Sequence, residues 1–128
     1  DGETLWRNHE ATVRESIGIS GDGKFVYAKT MQDTVVAFPT GKESQHPAWK
    51  TNCGFGYEHA PSMLIEKDGK VFFGTKNGVV YCIDPLSGKT EWTHKIDNSM
   101  VNTVRVIDRR HIIASTMNGQ MVFLEANY

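Results

Sequence analysis

The sequence has little net charge of either sign. Lysine and arginine number 14 against 15 acidic residues, for a formal net charge of −1 over 128 residues. The basic residues are scattered, so no electrostatic footprint offers itself to the phosphates of a nucleic acid, and that class of partner is set aside. Long hydrophobic runs are missing too. The longest, such as GVVYCI at 78–83, fall far short of the roughly twenty apolar residues that a membrane-crossing helix needs. The chain opens on Asp1 with no charged-then-apolar segment, so no secretion signal is legible within these residues. Cysteine is scarce. Cys53 and Cys82 allow one disulfide or none, spacing alone does not decide which, and neither sits in a CxxC pattern of a metal or redox site. His9, His46, His59, His94 and His111 show none of the HxH or HExxH spacings of metal ligands. A helical stripe of apolar residues at i, i+3, i+4 and i+7 occurs nowhere.

What the sequence does hold is a repeat. Trp6, Trp49 and Trp92 are each separated from the next by 43 residues. Aligned on this spacing, FVYAKTMQDTVVAF (25–38), VFFGTKNGVVYCI (71–83) and IIASTMNGQMVFL (112–124) each read as an apolar stretch, a threonine, a polar turn and a second apolar stretch. The threonines are Thr30, Thr75 and Thr116. A further short strand precedes each block, SIGIS (16–20), SMLIE (62–66) or TVRVI (103–107), and a tryptophan-led strand such as AWKT (48–51) or EWTHK (91–95) follows the first two. The turns are rich in Asp-Gly and Asn-Gly, whose residues tolerate the positive φ of tight hairpins.

Four short strands repeating every 40 to 45 residues point to a β-propeller, in which four-stranded blades, strands A to D, stack around a channel. The apolar residues of VFFG and VVYCI are consecutive rather than alternating, as expected when both faces of a blade are covered. A β-sandwich would leave one wet face and explains no regular four-strand period. The expected fold is therefore an all-β partial propeller of about three blades' worth of antiparallel sheet, in the order D, ABCD, ABCD, ABC. The whole of 1–128 forms one domain, with units near 9–52, 53–95 and 96–128 preceded by a D strand at 3–8. Three blades do not close a ring, because propellers have about four to eight.

The stretch YCIDPLSGKTEW (81–92) contains Gly-Lys-Thr but is no phosphate loop. That motif needs a glycine five positions before Gly88, where Ile83 stands, and a helix after the lysine, where a strand is expected. As a turn it makes sense: Asp84 can accept backbone amides, Pro85 presets φ, and Gly88 supplies a conformation that side chains disfavour. Trp92 then offers a large flat surface to a neighbouring blade.

CIDPLSGKTEW resembles the tryptophan-docking motif of the pyrroloquinoline-quinone-like propeller repeat, with Asp84, Ser87, Gly88, Lys89 and Trp92 at the motif positions. GETLW (2–6) matches its end through Gly2 and Trp6, and AFPTGKESQHPAW (37–49) keeps Thr40, Gly41, Lys42 and Trp49 without the Asp. The resemblance implies structural docking roles for Trp6, Trp49, Asp84, Gly88 and Trp92. It also implies an extracytoplasmic, periplasmic setting in a bacterial protein. Members that are quinoprotein dehydrogenases hold their cofactor against a disulfide of adjacent cysteines, which this sequence does not have. Other members are scaffolds that bind proteins, or propellers joined to hydrolases or phosphoesterases. The expectation is a non-catalytic scaffold module of a larger envelope protein, with no cofactor, catalytic residue or metal of its own. The alternatives are a fragment of a quinoprotein dehydrogenase and an accessory propeller of a phosphoesterase or hydrolase whose active site lies elsewhere. The expected partners are another protein or further blades of a longer chain, and copies of the chain could associate through open blade edges.

In a propeller the D–A and B–C connections crowd one end of the channel, where loops carry function on a rigid frame. The D–A connections are read as 7–15, 52–61 and 95–102. GFGYEHAP (54–61) groups aromatic, acidic and titratable side chains, although neighbours on an extended segment point opposite ways. The candidate ligand- or partner-binding residues are Arg14, Tyr57, Glu58, His59 and Asn102.

Overall fold

The computed structural model describes residues 2–4, 7, 13–30, 32–41, 46–57 and 64–128, and for 13–16, 32, 33 and 55–57 the backbone only. Among these residues every regular element is a strand. They are β1 (Val13–Ile19), β2 (Phe25–Thr30), β3 (Gln32–Pro39), β4 (Trp49–Tyr57), β5 (Ile65–Lys67), β6 (Lys70–Gly74), β7 (Val79–Ile83), β8 (Thr90–Lys95), β9 (Val101–Asp108), β10 (His111–Thr116) and β11 (Met121–Glu125). Pairing is antiparallel between chain neighbours throughout, in sheets of order β1-β2-β3-β4, β5-β6-β7-β8 and β9-β10-β11. These are the expected ABCD, ABCD and ABC sets; of the expected first D strand at 3–8, Trp6 falls outside the described residues, and 3, 4 and 7 are described without strand structure.

The sheets stack face to face through side chains that leave the middle one in both directions. Val71, Phe73 and Ile83 of the second sheet join Tyr27, Val35 and Ala37 of the first, with Leu64, in one buried cluster. Phe72, Val80 and Cys82 join Val101, Val104, Ile112 and Ala114 of the third in another. Because successive residues of a strand point to opposite faces, a sheet covered on both sides needs apolar residues at consecutive positions. Each aromatic or aliphatic side chain so buried contributes on the order of 1.5–3 kcal/mol. The third sheet reads differently: Thr103, Arg105, Ile107, Met121, Phe123 and Glu125 are exposed while their neighbours are inward. Burial also pushes the Cys82 thiol up to about 11, so it is a packing residue and unreactive near neutral pH. Cys53 and Cys82 are not bonded to one another.

The threonine of each repeat anchors its hairpin. Thr75 N–H bonds Val79 O at 3.0 Å and Gly78 N–H bonds Thr75 O. Thr116 N–H bonds Gln120 O at 2.9 Å and Gly119 N–H bonds Thr116 O in the same pattern. Both threonines are buried. Gly78 and Gly119 share a positive φ, 78° and 83°, but their surroundings differ. A Cβ on Gly78 would run into the Asp97 carbonyl, whereas one on Gly119 meets open space.

Trp49 supplies the fastener between the first two sheets. Its indole lies on Gly88, where a Cβ would come within 2.6 Å of the ring, and its Nε1 donates to Pro85 O at 2.7 Å. Thr51 Oγ1 donates to Gly88 O. On its other side the ring stacks on Tyr27, with centroids 6.0 Å apart. Gly88 has φ 77° and no side chain, and the turn requires both properties at once. Asp84 shapes that turn. Its carboxylate accepts Ser87 Oγ at 2.8 Å and Leu86 N–H at 3.2 Å, and its backbone N–H bonds Lys89 O at 2.9 Å. The Ser87 hydroxyl and the Leu86 amide hold the Asp84 carboxyl below the usual carboxylate range.

Two expectations are corrected here. Residues 52–57 are not a loop but the continuation of β4, which runs to Tyr57. The strand accommodates them by a bulge: Asn52 faces Thr34 and Tyr57 faces Gln32, so β4 carries more residues than its partner over this stretch. Gly54, at φ 64°, makes the bulge, and its N–H is bonded by Asn52 Oδ1 at 2.9 Å. Likewise β1 begins at Val13 and β9 at Val101, which places Arg14 and Asn102 inside strands rather than in the connections before them.

Gly78→Ala should lower stability well beyond Gly119→Ala, whose cost is the left-handed strain alone, about 1–3 kcal/mol; thermal unfolding of the two variants side by side measures the difference, and equal effects would refute the close approach to Asp97. A depressed folded-state pKa at Asp84 contributes stability that is present above the unfolded value, about 3.9, and is lost as pH falls through the folded one. Asp84→Asn should therefore flatten the loss of stability below about pH 4 in acid unfolding curves.

Candidate interaction surface

Topology brings three of the candidate binding residues to corresponding ends of their sheets. Val13, next to Arg14, faces Thr30 across β1 and β2, and Tyr57 faces Gln32 just beyond the β2–β3 turn. Asn102 lies at the start of β9, where Val101 faces Thr116. The sheets are aligned at this end by direct bonds: Lys29 Nζ donates to Gly74 O at 2.9 Å, and Val101 N–H to Thr75 O at 2.9 Å. The hairpins at 75–78 and 116–119 turn here, so this is the end at which the D–A and B–C connections meet. The side chains of Arg14 and Tyr57 and the whole of Glu58 and His59 lie outside the described residues.

Asn102 is held firmly. Ser115 Oγ donates to its Oδ1 at 2.8 Å, and its Nδ2 points to Met117 Sδ at 3.7 Å. Around it the 97–100 segment is laced to the β10–β11 hairpin. Asp97 accepts Ser99 N–H and Oγ through one oxygen and Thr116 Oγ1 at 2.7 Å through the other. Met117 N–H bonds Met100 O at 2.9 Å, and Asn118 N–H bonds Ser99 Oγ at 3.2 Å. Partial burial of Asp97 works against its charge, but the Ser99 and Thr116 bonds outweigh it and the carboxyl sits below the usual range. The result is a rigid polar rim from which Met117, 65% exposed, projects. An exposed thioether is flexible and adaptable to different contacts.

Met100 and Met117 were not among the residues singled out by the sequence. The available signal was the position just after the anchoring threonine, occupied by Met31, Lys76 and Met117 in turn. Elsewhere, His111 Nδ1 lies 2.9 Å from Asp108 Oδ1 and its Nε2 3.4 Å from Glu125, closing the β9–β10 turn. No cluster of three or more His, Cys, Asp or Glu suited to a metal ion occurs among the described residues. No helix among them is long and apolar enough to cross a membrane.

A second recess lies at the opposite, outer side. A groove of about 320 Å³ is lined by Trp92, Thr93, His94 and the 124–127 segment, and a neighbouring one of about 420 Å³ by Lys89, Thr90, Glu91, Trp92, Asn127 and Tyr128. Trp92 tilts over Phe72, with centroids 6.1 Å apart. Its Nε1 is buried next to the Tyr128 hydroxyl. The Tyr128 hydroxyl donates to Arg109 O at 2.6 Å, which leaves its oxygen free to accept.

Comparison with known proteins gives one family and one fold. The model of the family described as outer membrane protein assembly factor BamB matches residues 1–124. No curated protein matches the chain. Among solved structures, BamB from Moraxella catarrhalis is similar at 20% identity and a TM-score of 0.70, covering 91% of this chain and 34% of that one. The computationally designed Ika8 protein is similar at 15% identity and a TM-score of 0.71, covering 86% of this chain and 32% of that one. The chain thus spans about a third of the length of either structure, and at these identities the likeness is one of fold. With the family match over nearly its whole length and three stacked antiparallel sheets of the propeller kind, the chain belongs to the BamB-like family of pyrroloquinoline-quinone-like β-propellers.

Proposed function

We propose that this chain is a non-catalytic scaffold module of a larger bacterial envelope protein, and that it offers the hairpin end of its sheets to a protein partner. The observation that carries the reading is the fixed rim at that end. Ser115 is bonded to Asn102, and Ser99 and Thr116 to Asp97, by short side-chain hydrogen bonds, while Met117 stands exposed beside them. A pre-organised rim loses little conformational entropy on binding, and an adaptable apolar side chain supplies contact area. Arg14, Tyr57, Glu58 and His59 belong to the same proposal, because the chain directs the ends of β1 and β4 to this side. The family's description as an assembly factor agrees with a protein-binding role.

Met117→Ala and Asn102→Ala should weaken capture of envelope proteins in cross-linking from a bacterial envelope extract, while circular dichroism and melting temperature change little. Capture unaffected by either variant would end the assignment of this rim. Pyrroloquinoline quinone with calcium should produce neither a saturable change in tryptophan fluorescence nor dye reduction; both together would replace the scaffold by a dehydrogenase.

A further inference from the structure

The tripeptide Asp-Gly-Lys occurs twice, at 22–24 and 68–70, each time between the first two strands of a sheet. The two copies share their sequence and differ in their surroundings. In the first, the Asp22 carboxylate is pinned, one oxygen accepting Ser20 Oγ at 2.7 Å and Lys24 N–H at 2.9 Å. Gly23 is held through both of its polar groups: its N–H bonds Ser20 O at 3.0 Å, and its O accepts Thr40 Oγ1 at 2.8 Å.

In the second, Asp68 and Gly69 are the two residues between Lys67 and Lys70, which face each other across β5 and β6. Both have positive φ, 52° and 75°, as a two-residue hairpin turn favours. Asp68 is the one non-glycine residue among those described in this conformation, which side chains disfavour. Its carboxylate accepts Arg109 N–H at 3.3 Å. Asp68 and Gly69 are both exposed, and a Cβ on Gly69 would meet open space.

An aspartate followed by glycine can close on itself. The Gly69 backbone nitrogen attacks Asp68 Cγ: the N–Cγ bond forms, the Cγ–OH bond of the protonated carboxyl breaks, and the hydroxyl leaves with the amide proton as water. Water then adds to either carbonyl of the cyclic imide. Cleavage of N–Cγ restores aspartate, whereas cleavage between the nitrogen and the main-chain carbonyl leaves the chain running through Cβ and Cγ, as isoaspartate. One water is released and one consumed, and nothing is oxidised or reduced. Closure needs the nitrogen within about 3–3.5 Å of Cγ, which it reaches when the Asp-Gly peptide swings about the aspartate ψ. At Asp22 that swing breaks the bonds to Ser20, Lys24 and Thr40. At Asp68 it carries Gly69 through open space and gives up the Arg109 bond. The Ser20 and Lys24 bonds also hold the Asp22 carboxyl below the usual range, and an ionised carboxylate has no hydroxyl to lose.

We infer that Asp68 is a site of spontaneous isoaspartate formation in the folded chain, and that Asp22, in the same tripeptide, is spared. The site lies at the end of the sheets opposite the hairpin rim and does not depend on what binds there. Isoaspartate adds a methylene to the main chain of the turn and takes the carboxylate away from Arg109 N–H, so the β5–β6 turn loses this tie to the β9–β10 turn.

Peptide mapping of the unaltered whole chain, after storage in warm buffer near neutral pH, tests this. Aspartate and isoaspartate peptides have equal mass, so chromatography separates them and an isoaspartate-specific methyltransferase with labelled S-adenosylmethionine marks the product. A barrier higher by about 1.4 kcal/mol slows a reaction tenfold, and isoaspartate at 68 should accumulate about tenfold or more faster than at 22. In urea sufficient to unfold the chain the two rates should converge, because the tripeptides are the same. Equal rates in the folded chain overturn the inference, as does a folded chain with no isoaspartate at 68. A difference that persists in urea overturns it too, since the fold would not be its cause.

Discussion

The strands β6 and β7 of the middle sheet have both faces covered, and the rest of the molecule follows from that. Val71 and Phe73 leave β6 on one side and Phe72 on the other, so a neighbour must lie against each. A sheet in this position cannot tolerate alternating polar residues, and its turns must bring the next sheet within about 10 Å. The indole of Trp49 on the bare backbone of Gly88 sets the approach on one side. Glu66 ties the same pair of sheets near β5, accepting from Tyr27 Oη at 2.6 Å and from Gly21 N–H at 2.5 Å. On the other side the Thr75 carbonyl receives Val101 N–H, and Tyr128 spans from Arg109 O to Cys82 and lies under Lys70.

This arrangement separates what is rigid from what is available for binding. The faces of β6 and β7 are used up in stacking, and the exposed surfaces include the sheet ends and the outer side of the third sheet. The hairpin end is stiffened by short polar bonds around Asp97 and Asn102, which suits a surface that must hold its shape. The β11 strand is different in kind: Met121 and Phe123 on it are exposed apolar side chains.

The tripartite Thr-turn repeat, the Trp spacing and the unbroken apolar runs identify the strands and their grouping from sequence, because hairpins and two-sided burial leave local marks. The GFGY stretch misled for a physical reason. Glycines and a polar Asn usually punctuate a loop, but here Gly54 and Asn52 form a bulge inside a strand, and a bulge keeps the chain in the sheet while disturbing its composition. Arg14 and Asn102 were misplaced by a few residues in the same way, since irregular strand ends look like connections in one dimension.

By itself the sequence determined the all-β class, the four-strand period and the identity of the docking turn, since each depends on residues close in the chain or at a fixed interval along it. Only the tertiary structure decided which indole meets which glycine, that Trp49 docks on the turn preceding Trp92, and that Trp92 tilts over Phe72. Those facts depend on contacts between sheets, across roughly forty residues of chain, where no local pattern records the partner. The polar rim belongs to the same category: Asn102, Ser115, Met117 and Asp97 come together because the ends of β9 and β10 and the 97–100 segment converge in space.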